Sequence, residues 1–82
     1  MRVSVFGLGY VGSVSAASFA ADGHQVVGVD VNPDKVAAVN AGRCPIIEPG
    51  LDDLLATGVA GGRLRATTDA AEAVADSEVS LL

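Results

Sequence analysis

Three glycines, Gly7, Gly9 and Gly12, stand between an apolar run and a helix-forming run, and no other feature constrains the fold of this chain as strongly. Arg2 to Phe6 carries Val3, Val5 and Phe6, β-branched or aromatic residues that favour an extended strand. Gly7-Leu8-Gly9 breaks that strand. Tyr10 to Ala21 then reads as a helix rich in Ala and Ser, with Val14, Ala17 and Ala21 recurring at helical spacing and Ser15, Ser18 and Asp22 on another face. Gly23 is placed to stop the helix, because the left-handed conformation of a helix C-terminus costs glycine nothing. Gln25 to Asp30 is a second strand. Its Val26, Val27 and Val29 form the nearly continuous apolar run of a central parallel strand covered on both faces.

The alternation continues. Asn32 is a predicted N-cap with Pro33 at the first helical position, and that helix carries Val36 and Val39 and stops at Gly42. A loop from Arg43 to Pro49 follows. Leu51, Leu54 and Leu55 form the apolar stripe of a short helix, with Asp52 and Asp53 near its positive end and Gly58, Gly61 and Gly62 ending it. Leu64 to Thr67 is a short third strand. Asp69 with Glu72 resembles a capping box opening an Ala-rich helix that ends near Asp76, and Val79 to Leu82 begins a fourth strand. Strands alternating with helices require right-handed crossovers and a parallel sheet. The predicted fold class is α/β, a Rossmann-type doubly wound sheet truncated after the start of its fourth strand. Strand one is expected between strands two and four, with strand three outside strand two. Residues 1–82 are expected to be the N-terminal part of a larger domain, because the chain stops inside an apolar strand.

Gly7-Leu8-Gly9-Tyr10-Val11-Gly12 is a G-x-G-x-x-G. By itself the pattern is weak, since the chain has ten glycines that turns alone could use. Its context is specific: it leaves a strand, opens a helix, and is followed after about 20 residues by an acidic residue, Asp30, at the end of the next strand. That is the dinucleotide-binding fingerprint. Gly7 permits the tight turn, Gly9 leaves room for a pyrophosphate against the backbone, and Gly12 lets the helix pack closely on the sheet. The free N–H groups and positive dipole end of the helix face the pyrophosphate. Asp30 is placed to accept hydrogen bonds from the adenine ribose hydroxyls and to repel a 2′-phosphate, which selects NAD over NADP. FAD uses the same fingerprint and remains an alternative. Lys35 lies in the first turn of the next helix, where a cation opposes the helix dipole. It is placed to reach the ribose or pair with Asp30, or else it is a solvated surface lysine.

Other residues are assigned plainer roles. The net charge of −5, with Arg2, Lys35, Arg43, Arg63 and Arg65 scattered, argues against nucleic acid as a partner. The one cysteine, Cys44, excludes an internal disulfide, fits a reducing compartment, and lacks a neighbouring base to make it a nucleophile. His24 reads as a surface turn residue, and Glu48 as a helix-entry residue rather than a catalytic one. No metal-ligand spacing and no Ser/His/Asp arrangement is present. Val3 to Ala21 is uncharged and follows Arg2, so it could pass for a signal peptide, but its glycines and serines suit neither that nor a membrane span.

The segments Val5-Phe6-Gly7-Leu8-Gly9-Tyr10-Val11-Gly12, Gly23-His24, Gly28-Val29-Asp30 with Lys35, Pro45-Ile46-Ile47-Glu48-Pro49-Gly50-Leu51, and Gly62-Arg63-Leu64 with Thr67-Thr68-Asp69 together resemble the N-terminus of the UDP-glucose/GDP-mannose dehydrogenase family. The resemblance implies an NAD-dependent enzyme, cytoplasmic and oligomeric when complete, that oxidises the C6 alcohol of a nucleotide sugar to a carboxylate for polysaccharide biosynthesis. It reduces two NAD per turnover. It further implies that Tyr10 and Val11 join the glycines at the pyrophosphate and that Lys35 joins Asp30 at the ribose. The family's cysteine nucleophile, which forms a thiohemiacetal and then a thioester, belongs to a downstream motif that Cys44 does not match. No catalytic residue is therefore expected in residues 1–82, and the chain alone is expected to be inactive. Leu8, Ile47 and Ser80 are most like the GDP-mannose members; UDP-glucose is the alternative substrate. A different class, an NAD-sensing or dimerisation module without chemistry, stays open because fold does not fix function.

Overall fold

β1 (Arg2–Phe6) and β2 (Gln25–Val29) pair in parallel, with Val3 opposite Val26 and Val5 opposite Gly28. The computed structural model describes residues 1–43 and 50–81. The other elements are α1 (Tyr10–Ala21), α2 (Pro33–Asn40), α3 (Leu51–Ala60), β3 (Leu64–Thr67), α4 (Ala70–Ala75) and β4 (Val79–Leu81). All strand pairings are parallel, as the alternating pattern predicts, and the order is the expected one, β3-β2-β1-β4. The order reverses at β1, which has β2 on one side and β4 on the other. The uncharged stretch that could pass for a signal peptide is divided into β1, a glycine turn and α1. Among the described residues no helix is long and apolar enough to cross a membrane.

Strand alternation sorts the core into two layers. Val3, Val5, Val26, Leu64 and Ala66 face α1, α2 and α3, where Ala16, Ala17, Ala20, Val39, Leu51 and Leu55 are buried against them. Val27 and Val29 face the other way, onto Ala73 of α4 and Phe6. β2 is thus buried on both faces, which explains its nearly continuous apolar run. Beside this apolar patch, where β1 pairs with β4, the same side carries a polar cluster. The Ser4 hydroxyl lies 2.7 Å from that of Ser80 and accepts a bond of 2.9 Å from Ser77.

Several local expectations hold. The Asn32 side chain caps α2 by accepting from the Asp34 N–H at 2.9 Å, with Pro33 in the first turn. Gly23 has φ +95, the left-handed conformation a helix stop needs. Asp69 accepts from the Glu72 N–H at 3.0 Å, but the box is only half formed, because the Glu72 carboxylate turns to Arg65 at 2.6 Å.

Other expectations are corrected. The buried stripe of α1 is Ser13, Ala16, Ala17 and Ala20, and Ala21 is exposed. Gly58 does not end α3 but lies inside it, buried; a Cβ there would meet Ala20 Cβ and Leu64 Cβ at 3.2 Å, so its missing side chain lets α3 approach α1 and β3. Leu54 is not part of the buried stripe and faces solvent. His24 is half-buried, its ring edge-on to Phe19 with centroids 6.1 Å apart, because the turn after Gly23 folds it back along α1. The strand ends at Val29, with Asp30 just beyond it. The readings of Cys44, Ile47 and Glu48, and the end of the fourth strand at Leu82, lie outside the described residues.

The outer edge of β3 is closed by a side chain. Asn40, at the end of α2, donates to the Ala66 carbonyl at 3.0 Å and accepts from the Ala66 N–H at 2.8 Å. The amide stands where a further strand would pair.

Candidate dinucleotide site

The turn after β1 is held by backbone. Gly7 adopts φ +90 and its N–H donates to the Val29 carbonyl at 2.7 Å, which ties the turn to the end of β2. Gly9 is the N-cap of α1 and its carbonyl accepts the first helical bond, from the Ser13 N–H at 2.9 Å. The N–H groups of Tyr10, Val11 and Gly12 therefore have no acceptor within the helix. No acidic side chain lies in that first turn to compete for them. The positive end of α1 opens onto a cleft of about 450 Å³ lined by Val5, Phe6, Gly7, Gly9, Tyr10, Val11, Gly12, Ser15 and Leu81. It lies at the C-terminal ends of β1 and β4, the point of strand-order reversal where open α/β sheets take their ligands.

The glycines of the loop do different things. A Cβ at position 12 would collide with the Gly7 carbonyl, so Gly12 is what lets α1 sit against the turn. A Cβ at position 9 would meet no protein atom within 4 Å, so Gly9 leaves space on the open side. Tyr10 and Val11 are both exposed beside it.

Asp30 lies at the end of β2, across from the loop. Its Oδ2 accepts from the Leu8 N–H at 2.8 Å and its Oδ1 from the Asn32 N–H at 2.9 Å. The Leu8 bond is the main reason its carboxyl is held below the ordinary carboxylate value. The Asn32 bond adds to this, burial opposes it, and the charge of Lys35 contributes a smaller pull. Lys35 makes no ion pair with Asp30 among the described residues, so direct pairing, one of its expected roles, does not occur. Sequence reasoning missed the part of Leu8, which gives its N–H to Asp30, and that of Ser13, whose hydroxyl donates to the Leu8 carbonyl at 3.2 Å. It also missed Ser15 and Leu81 in the cleft wall. The signal for the last was available in the strand order, which brings β4 beside β1.

A loop of this form facing an open cleft, with an acid ionised at the end of the next strand, fits a dinucleotide. Residues 1–82 match the NAD binding domain of the UDP-glucose/GDP-mannose dehydrogenase family. The chain belongs to that family. It is 56% identical to a GDP-mannose 6-dehydrogenase of Pseudomonas putida over 82 residues, all of this chain and 19% of the relative. It is 51% identical to a UDP-glucose 6-dehydrogenase of Rhizobium meliloti over 79 residues, 96% of this chain and 18% of the relative. Among solved structures, a ternary complex of GDP-mannose dehydrogenase from Pseudomonas aeruginosa superposes with a TM-score of 0.96 at 55% identity, covering 98% of this chain and 18% of that one. The chain thus spans about a fifth of the length of the curated relatives it matches. NAD is the cofactor of this family's domain, and the residues present suit it: an uncluttered loop at Gly9, an unopposed helix N-terminus, and a carboxylate already ionised and oriented.

Proposed function

We propose that residues 1–82 are the N-terminal part of the NAD domain of a nucleotide-sugar 6-dehydrogenase. That enzyme converts the C6 alcohol of GDP-mannose to the carboxylate of GDP-mannuronate with two NAD. The observation that carries the reading is the paired arrangement of the Gly7–Gly12 loop at the β1/β4 cleft with Asp30 at the end of β2. The nicotinamide of bound NAD would supply the hydride acceptor. In this chain, Gly7, Gly9, Tyr10, Val11 and Gly12 form the pyrophosphate loop: Gly7 makes the turn, Gly9 leaves the space, and the Tyr10, Val11 and Gly12 N–H groups at the start of α1 face the phosphates. Asp30 takes the ribose hydroxyls and excludes a 2′-phosphate by charge. The Lys35 ammonium, without an ion pair to Asp30, is free to join it at the ribose. The thiol chemistry and the sugar pocket are assigned to the remainder of the protein, which we place in the cytoplasm as a homo-oligomer serving polysaccharide synthesis.

GDP-mannose is preferred because relatives 51–56% identical to this chain carry that activity in their names, while UDP-glucose relatives stand at 50–51%. The test is to supply the full-length protein with NAD and either GDP-mannose or UDP-glucose and to follow NADH. Two NADH per GDP-mannose, with little from UDP-glucose, is the expected result. NADH from UDP-glucose alone would transfer the assignment to that sugar. NAD binding with NADH from neither would point to a sensing module.

A further inference from the structure

Leu8 occupies the variable position between the first two glycines, a place where the fingerprint asks for nothing. In this chain three separate contacts hold it. Its side chain is fully buried in the layer between the sheet and α1. It lies over Gly28 of β2 so closely that a Cβ at position 28 would come within 2.7 Å of Leu8 Cδ2. Its carbonyl accepts from the Ser13 hydroxyl, itself on a fully buried residue of α1. Its N–H ends on Asp30 Oδ2. With Asn32 N–H on Oδ1, both oxygens of Asp30 are aimed by backbone donors.

We infer that Leu8 is a positioning residue for the Asp30 carboxylate, and that Gly28 and Ser13, through Leu8, set the preference for a cofactor with a free 2′-hydroxyl. The inference rests on the reading of Asp30 as the ribose acceptor. The Leu8 and Ser13 side chains are wholly buried and Gly28 has none, so these groups act from beneath the site. A carboxylate free to rotate can swing aside and leave room for a 2′-phosphate. One clamped from both oxygens cannot, and it meets that phosphate at close range with its charge intact. Discrimination then depends on the rigidity of the acid as well as on its presence. The Leu8 side chain sets that rigidity, because a shift of its backbone moves the N–H that orients Oδ2.

The test uses the full-length protein and reads dissociation constants for NAD and NADP, with the pH dependence of NAD binding. Gly28→Ala pushes Leu8 off its seat and should lower the NAD-over-NADP preference about tenfold, the scale of one charged hydrogen bond. It should also raise the pH at which NAD affinity begins to fall. Adding Leu8→Val, which removes the obstructing δ carbons, should restore most of the preference. Ser13→Ala should shift the preference in the same direction by a few-fold, and it decides alone if Gly28→Ala does not fold. Asp30→Ala is the control. If it abolishes the preference while Gly28→Ala or Ser13→Ala weakens NAD and NADP equally or changes neither, the positioning role is refuted and the ribose assignment stands. If Asp30→Ala itself leaves the preference intact, the ribose assignment fails and the inference falls with it.

Discussion

The same substitution, glycine to alanine, should have opposite signatures at positions 9 and 12. At position 12 the new methyl would sit 2.8 Å from the Gly7 carbonyl carbon and closer still to its oxygen. Carbon–carbon contacts settle near about 3.5–4.0 Å, so α1 must withdraw from the turn by about 1 Å or more. The obstruction is backbone and cannot turn aside as a side chain would. Overpacking of this kind costs about 1–3 kcal/mol, and an unyielding neighbour argues for the upper figure. In a domain of 150–250 residues that upper figure corresponds to a fall in Tm of about 6–12 °C. At position 9 the methyl meets nothing within 4 Å, and φ of −77 suits alanine. Reduced freedom of the unfolded chain would stabilise by about 0.4–1 kcal/mol, offset by the weaker capping of alanine, so Tm should move by less than about 2 °C. The cofactor should feel the change instead. The methyl projects into the space the pyrophosphate needs, and NAD affinity should fall about ten- to hundredfold, equivalent to losing one charged hydrogen bond. Thermal melts and NAD titrations of the two full-length variants are the assay. An unchanged Tm in Gly12→Ala, or unchanged NAD affinity in Gly9→Ala, would refute the division of labour.

Asp30 makes a prediction about pH. Its folded pKa is lowered, first by the Leu8 N–H, so the ionised form is favoured by the fold. Its contribution is complete above its ordinary pKa of about 4 and is lost as pH falls through the lowered folded value. NAD affinity measured at graded pH should stay level down to about pH 4, and Asp30→Asn should be weaker and level throughout; a wild-type affinity already falling near neutrality counts against the assignment. Asn40→Ala should cost about 1–2 kcal/mol through the two lost bonds to Ala66 and open the β3 edge. Hydrogen exchange at the Ala66 amide should accelerate and the protein should self-associate at high concentration; an unchanged exchange rate would show that the side chain does not guard the edge.

Much of this protein is written locally. The strand at Val3 to Phe6, the helix from Tyr10 to Ala21, the Asn32-Pro33 cap and the turns at Gly7 and Gly23 follow from side-chain branching, capping chemistry and backbone freedom, which act within a few residues. The strand order was expected from the dinucleotide-binding fingerprint, whose fold sets strand one between strands two and four, and the place of the cleft comes with it. The candidate site was legible to the same extent: the loop and Asp30 could be named in advance, because their spacing along the chain carries the signal. The buried face of α1 could not. Its alanines and serines differ too little in hydrophobicity for spacing alone to choose between a stripe through Ala17 and Ala21 and the one through Ala16, Ala17 and Ala20. Gly58 looks like a helix stop until Ala20 and Leu64 are seen to crowd the place where its side chain would be. The orientation of Asp30 depends on Leu8, 22 residues away along the chain, and is fixed only when β1 and β2 lie side by side. Close approach and long-range hydrogen bonds join residues that no local pattern connects, so these were decided by the tertiary structure.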